Sequence, residues 1–168
     1  AESWRLALEG AILDGELGVP GPVGRETPRN RSTFREERIA LPVSFQPAAN
    51  HDASLLVAHV ASKPTFDSPG FSSETDARTF QARASDTWRV GKNTLTAIAS
   101  WERWRVDNES NFGVSLKDDR STLWGAGLQN TLQFTDRWTL TAGARYDRHS
   151  EFGSAWSPRA TLSWLSRD

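Results

Sequence analysis

Three groups of side chains in this sequence have the types that chemistry needs. Arg145, Asp147 and Arg159 bring together two guanidinium groups and a carboxylate. Such a set can steer a charged substrate, or it can brace a protein wall as an ion network, and bracing is the commoner role for charges of this kind. Asp107, Glu109, Asp118 and Asp119 offer carboxylate oxygens of the sort that hold calcium. In the run from Asp107 to Gly113, however, the glycine falls one place late for an EF-hand loop, so solvated loop charge is the reading the spacing supports. His51, His59 and His149 are the only histidines; they lie on separate segments without i, i+4 pairing, and no metal cluster is expected. His149-Ser150 stands beside Asp147 and Glu151, but neighbours on a strand point to opposite faces and do not form a nucleophile–base dyad. The glycine-rich run at 18–24 is also proline-rich and opens no helix, which makes it a loop rather than a phosphate cradle. No enzyme and no cofactor are expected.

Composition narrows what can position these residues. The 168 residues contain no Cys, which excludes a disulfide framework, a thiolate zinc site and a cysteine nucleophile. A net charge of -1 with acids and bases interspersed leaves no basic face for phosphates, so no nucleic-acid partner is expected. Apolar runs are only a few residues long, far short of the roughly 18 that a transmembrane helix requires. The start, Ala1-Glu2-Ser3-Trp4-Arg5, has no initiator Met and neither a basic nor an apolar leader region, and reads as a mature or internal segment whose signals lie elsewhere.

The informative signal is alternation. Over 138–147, Trp138, Leu140, Ala142, Ala144 and Tyr146 interleave with Thr139, Thr141, Gly143, Arg145 and Asp147. A strand separates these sets onto two faces, whereas a helix would mix them. The same period runs through Trp4, Leu6, Leu8 and Ile12; Ile39, Leu41, Val43 and Phe45, with Pro42 weakening that strand; and Phe80, Ala82, Ala84 and Trp88. It continues through Leu95, Ala97, Ala99 and Trp101; Trp124, Ala126, Leu128, Leu132 and Phe134; and Ala160, Leu162 and Trp164, with Ile98 and Asn130 as exceptions. The segment 54–62 is apolar on both faces, so its register stays open. About eight strands result. Short turns at 46–52, 91–93 and 135–137 alternate with longer polar connections at 14–31, 63–77, 106–119 and 150–156, as in an up-and-down barrel.

Alternation alone does not say whether the apolar face points into a soluble barrel or out to lipid. Three features favour lipid. Aromatic residues collect in two bands: Trp4, Phe45, Trp88, Phe134, Trp138 and Trp164 toward the short turns, and Phe34, Phe80, Trp101, Trp124 and Tyr146 toward the long connections. Between them lie Ala, Leu and Val, which would fill a soluble barrel poorly unless a ligand occupied it. The opposite face carries Arg, Glu, Gln, Thr and Gly, which suits a hydrated lumen. The expected fold class is therefore all-β: an antiparallel up-and-down transmembrane β-barrel segment of about eight strands.

Residues 140–164 also resemble the barrel of TonB-dependent outer-membrane receptors. The resemblance rests on Gly143-Ala144-Arg145-Tyr146-Asp147, Phe152-Gly153 and Ser157-Pro158-Arg159-Ala160-Thr161-Leu162, which follow that family's order of a G-x-R-Y-D strand end, a loop and an S-P-R strand start. Gly18-Val19-Pro20-Gly21-Pro22 and Thr27-Pro28 are similar to an extracellular loop of vitamin B12 receptor-like members. The resemblance implies a larger barrel in a Gram-negative outer membrane, in contact with lipid and lipopolysaccharide. It also implies a plug domain that binds TonB, and uptake of a scarce small molecule such as ferric siderophore or corrinoid. No plug-like sequence or TonB box precedes Trp4 and no terminal aromatic residue closes the chain, so all of 1–168 reads as a partial receptor barrel. The ligand-facing candidates are then Arg145, Asp147, Arg159, Asp107 and Glu109. A small complete barrel of eight strands with a structural or adhesion role is the alternative, and would pair its first strand with its last.

Overall fold

The computed structural model describes residues 3–18 and 29–166. The vitamin B12 receptor-like loop residues from Val19 to Pro28 lie outside them. Among the described residues the chain is all strand and turn: β1 (Ser3–Leu6), β2 (Glu9–Gly18), β3 (Arg31–Ala48), β4 (His51–Ser62), β5 (Thr65–Ser68), β6 (Phe71–Val90), β7 (Asn93–Ser110), β8 (Gly113–Gln133), β9 (Trp138–His149) and β10 (Gly153–Trp164). They form one antiparallel sheet in the order β1-β3-β4-β6-β7-β8-β9-β10, with β2 also on β3 and β5 between β3 and β6. Apart from β1 with β2 and β4 with β5, which follow one another along the same line, sequence neighbours are sheet neighbours, as an up-and-down meander requires.

The ten strands reduce to the eight anticipated, because two of them are nicked by proline. Leu6 pairs with Val43 and Glu9 with Ala40, so β1 and β2 keep one register on β3. The break at Ala7 and Leu8 lies opposite Pro42, whose ring nitrogen has no hydrogen to donate; Ala7 still donates to the Pro42 carbonyl at 3.1 Å. Likewise Ser62 pairs with Ala77 and Thr65 with Glu74 in one register, and the nick between β4 and β5 contains Pro64. The Pro64 carbonyl still accepts from the Thr75 amide at 3.0 Å.

Three connections that the sequence presents as long polar loops are mostly strand. β6, β7 and β8 run 20, 18 and 21 residues, about twice the nine to eleven that a membrane crossing requires. Residues 63–77 fold as β5 and the start of β6, 106–119 as a β7–β8 hairpin turning at Asn111 and Phe112, and 150–156 as a tight turn followed by β10. Polarity there marks departure from the apolar layer, while hydrogen bonding to neighbouring strands continues. Gly113 takes a φ of 125° at its turn, a conformation closed to residues with a Cβ.

The sheet is a single layer. Among the described residues only Ala40 and Ala58, cross-strand partners, and Gly125 are buried. The accessible surface is 11992 Å², against about 8,300 Å² for a compact fold of this mass. Cohesion comes from the backbone ladders, and the apolar face awaits a solvent of its own kind. Across the described residues β1 and β2 form one edge and β10 the other, without pairing to each other, so the closure required of a small complete barrel is absent.

Candidate functional site

The register divides every strand between the same two faces. One face carries Trp4, Phe45, Leu55, Ala84, Ala99, Ala126, Tyr146 and Trp156, and the other carries Ser44, Ser54, Ser85, Gly127, Arg145 and Ser157. The open register of 54–62 is resolved by pairing: Leu55, Val57 and His59 join the apolar face, while Leu56, Ala58 and Val60 join the polar one. The two aromatic bands are present as ring contacts on the apolar face. Toward the short turns Trp4 stacks on Phe45 at 3.9 Å and Trp138 meets Trp164 at 6.3 Å. At the far end Phe80 meets Trp101 at 5.5 Å, Trp124 meets Tyr146 at 5.4 Å, and Tyr146 meets Trp156 at 5.1 Å. Phe34 departs from the expectation. It has the parity of Ala40 and Ser44 on β3 and so falls on the polar face, over Gly15, where a Cβ would come within 2.7 Å of its ring.

Asp86 is a carboxylate on the apolar face, which the alternation pattern passed over. It is matched by His51, whose Nε2 lies 2.5 Å away while its ring stacks on Trp88 at 5.0 Å. The pair sits within the band nearer the short turns, where polar and aromatic groups coexist.

On the polar face, Arg145 and Asp147 form a site built by three strands. Arg145 Nε donates to both Asp147 oxygens at 2.8 and 2.9 Å, and its Nη2 donates to Ser100 Oγ on β7 at 2.7 Å. The Arg145 side chain crosses β8, its Cβ beside Gly127 and its guanidinium over Gly125. A Cβ on Gly125 would collide with both the guanidinium and the Asp147 carboxylate. Ser100 and Gly125 were not singled out from sequence, yet Gly125-Ala126-Gly127, small residues on the polar parity opposite a long cation, is the signal that marks the crossing. Arg145 and Asp147 are therefore committed to each other and to the wall. Arg159, opposite Gly143, has no ion pair or hydrogen bond among the described residues, and with Thr96, Gln129, Gly143 and Ser157 it lines a concavity on this face. Hydroxyl pairs complete the lining: Ser54 with Ser85 at 2.8 Å, Thr87 with Thr96 at 3.2 Å, and Thr131 with Thr141 at 3.1 Å.

Asp107 and Glu109 lie elsewhere. Their parity on β7 is that of Trp101, so they continue the apolar face beyond its aromatic band and do not converge with Arg145. Asp107 is already engaged, accepting from the Asp118 amide at 2.6 Å and pairing with Arg105 at 3.3 Å. Asp118 occupies a bulge with φ 52°, which turns its carboxylate onto Arg105 and Arg120. The hydrogen bond from Arg120, with the charges of Arg105, Arg120 and Arg103 adding to it, holds the Asp118 carboxyl below its ordinary range against the opposing effect of burial. Asp76 is lowered in the same way by its hydrogen bond to Arg78. His149 accepts from the Glu151 and Phe152 amides at 3.1 and 3.4 Å, and Ser150 accepts from the Thr122 amide at 3.0 Å, so both serve the turn.

The family model of the TonB dependent receptor-like beta-barrel matches residues 24–168. The chain belongs to this family. Solved receptors share the fold at low identity. The siderophore receptor PirA from Pseudomonas aeruginosa superposes with TM-score 0.65 at 16% identity, covering 100% of this chain and 35% of that one. BauA, the ferric preacinetobactin receptor from Acinetobacter baumannii, gives 0.66 at 13% identity over 95% of this chain and 34% of that one. The ferric citrate transporter FecA gives 0.62 at 14% identity over 96% and 30%. This member of the TonB-dependent receptor-like family thus spans about a third of the length of those receptors. Among curated proteins no sequence matches it.

Proposed function

We propose that this chain is part of the barrel wall of a TonB-dependent receptor in a Gram-negative outer membrane, and that it has no catalytic role. The observation that carries the reading is the division of one continuous sheet, in a chain of this family, into an apolar face between two aromatic bands and a hydroxyl-rich face braced by Arg145 and Asp147. The apolar face meets lipid and lipopolysaccharide. The polar face lines the passage of a scarce small molecule, a ferric siderophore or a corrinoid, with Arg159, which has no ion pair among the described residues, attracting anionic chelates. Energy reaches the ligand from TonB through a plug domain outside this chain.

The test is nutritional. The full-length gene is expressed in a host lacking its own receptors, with and without TonB. Growth is measured under iron limitation on a panel of ferric chelates and under corrinoid limitation on cobalamin. TonB-dependent growth on at least one compound is expected. Growth on none, with the barrel folded in the outer membrane, overturns the uptake reading.

A further inference from the structure

The turn between β9 and β10 is fastened by an imidazole. Register places Gly153 opposite His149, so the loop between them is Ser150, Glu151 and Phe152. Gly153 takes a φ of 81°, the left-handed residue that closes a three-residue hairpin loop. The amides of Glu151 and Phe152 donate to His149 Nδ1 at 3.1 and 3.4 Å. Nδ1 thus stands where the side-chain oxygen of an asparagine or aspartate stands in an Asx turn, accepting from the backbone two residues on. Ser150 is held independently of the ring. Its amide donates to the Thr122 carbonyl on β8 at 2.9 Å, and its Oγ accepts from the Thr122 amide at 3.0 Å.

Backbone amides only donate, so Nδ1 presents its lone pair to them and the neutral ring carries its hydrogen on Nε2. A second proton has to go to Nδ1, and the lone pair that takes it no longer accepts from the turn. The charged groups that face the ring are acidic. On β7, Glu102 lies in the same cross-strand row, beyond Leu123 of β8. Asp147 stands two residues back on β9, and Glu151 is in the turn itself. Arg145, on the same face of β9, is engaged by Asp147. Residues 121–133 of β8 and 153–158 of β10 carry no charge. Against the ring itself lie Trp104 at 6.1 Å and Phe152 at 4.6 Å, neither of which titrates. An imidazolium freed from the turn therefore meets carboxylates and aromatic faces rather than cations.

We propose that His149 is a proton-operated fastener of the β9–β10 turn. The neutral ring holds the Glu151 and Phe152 amides, and protonation releases them while Ser150 keeps the turn docked on β8. The direction follows from competition between the proton and the amides for one lone pair. The turn is fastened above the range in which histidines titrate, about pH 5 to 8, and loosens below it. The released segment bears Phe152, whose side chain is already 84% exposed. This device operates whichever molecule the polar face passes, so it stands or falls apart from the uptake reading.

The experiment is hydrogen exchange of the full-length receptor in detergent, read by mass spectrometry at pH 8 and pH 5 and corrected for the intrinsic pH dependence of exchange. Protection of the 149–153 segment should fall about five- to tenfold at the lower pH, as loss of one or two hydrogen bonds in a turn implies. The 90–93 turn, which contains neither a histidine nor a carboxylate, should not respond. His149→Asn supplies an acceptor that does not titrate and should stay protected at both pH values. His149→Ala should be unprotected at both, matching wild type at pH 5. Ser150→Ala, which removes an acceptor for Thr122 and leaves the imidazole in place, should keep the pH response. Heat-shifted gel mobility identifies folded barrels, and only these are scored. Equal protection of the wild-type segment at the two pH values overturns the proposal. So does a pH response that survives in His149→Asn or His149→Ala, or an alanine variant as well protected as wild type at pH 8.

Discussion

Arg145 and Arg159 carry the same charge on the same face, and the structure gives them different work. Arg145 is held by Asp147 and Ser100, and Gly125 leaves the room it needs. Gly125→Ala should therefore force this pair apart and cost about 1–3 kcal/mol, as overpacking does, read as a lower unfolding temperature in detergent. Ser100→Ala, which removes one hydrogen bond, should cost about 1 kcal/mol. Arg159→Ala should leave the unfolding temperature unchanged and raise the concentration of an anionic ligand needed for half-maximal uptake, about fivefold for one lost charge near the path. An altered unfolding temperature for that variant would place Arg159 in the wall after all. Sequence showed these charges sharing a face; which of them bind each other depends on three strands meeting at Gly125, a contact between residues 100, 125 and 145 that no local pattern contains.

At the level of the strands, proline and charge explain where ladders are interrupted and how far they extend. Pro64→Val restores the missing donor between β4 and β6, so residue 64 should gain a protected amide and β4 should run on into β5, measured by hydrogen exchange. Continued fast exchange there would show that something other than the missing donor causes the nick. The outer β7–β8 hairpin is held by Asp118 and its arginines, and the lowered carboxyl sets its pH response. Because the folded carboxyl ionises below its unfolded value, the stabilisation is full above the ordinary carboxylate range and disappears as pH falls through the lower folded value. Protease resistance of this hairpin should therefore be flat through mildly acidic pH and fall only below the usual aspartate range. A loss already at pH 6 would point to a different group. The sequence presented this hairpin as a loop because its residues are polar, although Arg103, Arg105 and Asp107 keep the period of two that begins at Leu95.

For the whole molecule, the decisive quantity is the surface left open. A sheet whose buried residues, among those described, are two alanines and a glycine has no interior to exclude water from. Lipid-confined quenchers should reach Trp101, Trp124, Trp138 and Trp164 on the apolar face and spare Trp104, which stacks with His149 on the other at 6.1 Å. Single-tryptophan variants of the full receptor in bilayers test this, and equal quenching of Trp104 would contradict the assignment of faces. The fold is shared with receptors at 13 to 16% identity. That persistence fits an architecture specified by alternation and ladder length rather than by a packed core.

The sequence by itself determined the strand period, the two faces, the aromatic bands and the meander. Each of these follows from side-chain parity along a single strand and needs no knowledge of its neighbours. The tertiary structure alone decided the register of 54–62, the continuation of β6 to β8 beyond the apolar layer, the placing of Phe34 over Gly15, and the separation of Asp107 and Glu109 from Arg145. Those depend on which residue of one strand lies opposite which residue of the next, and register is a property of pairs of strands, set by turns, bulges and cross-strand contacts together.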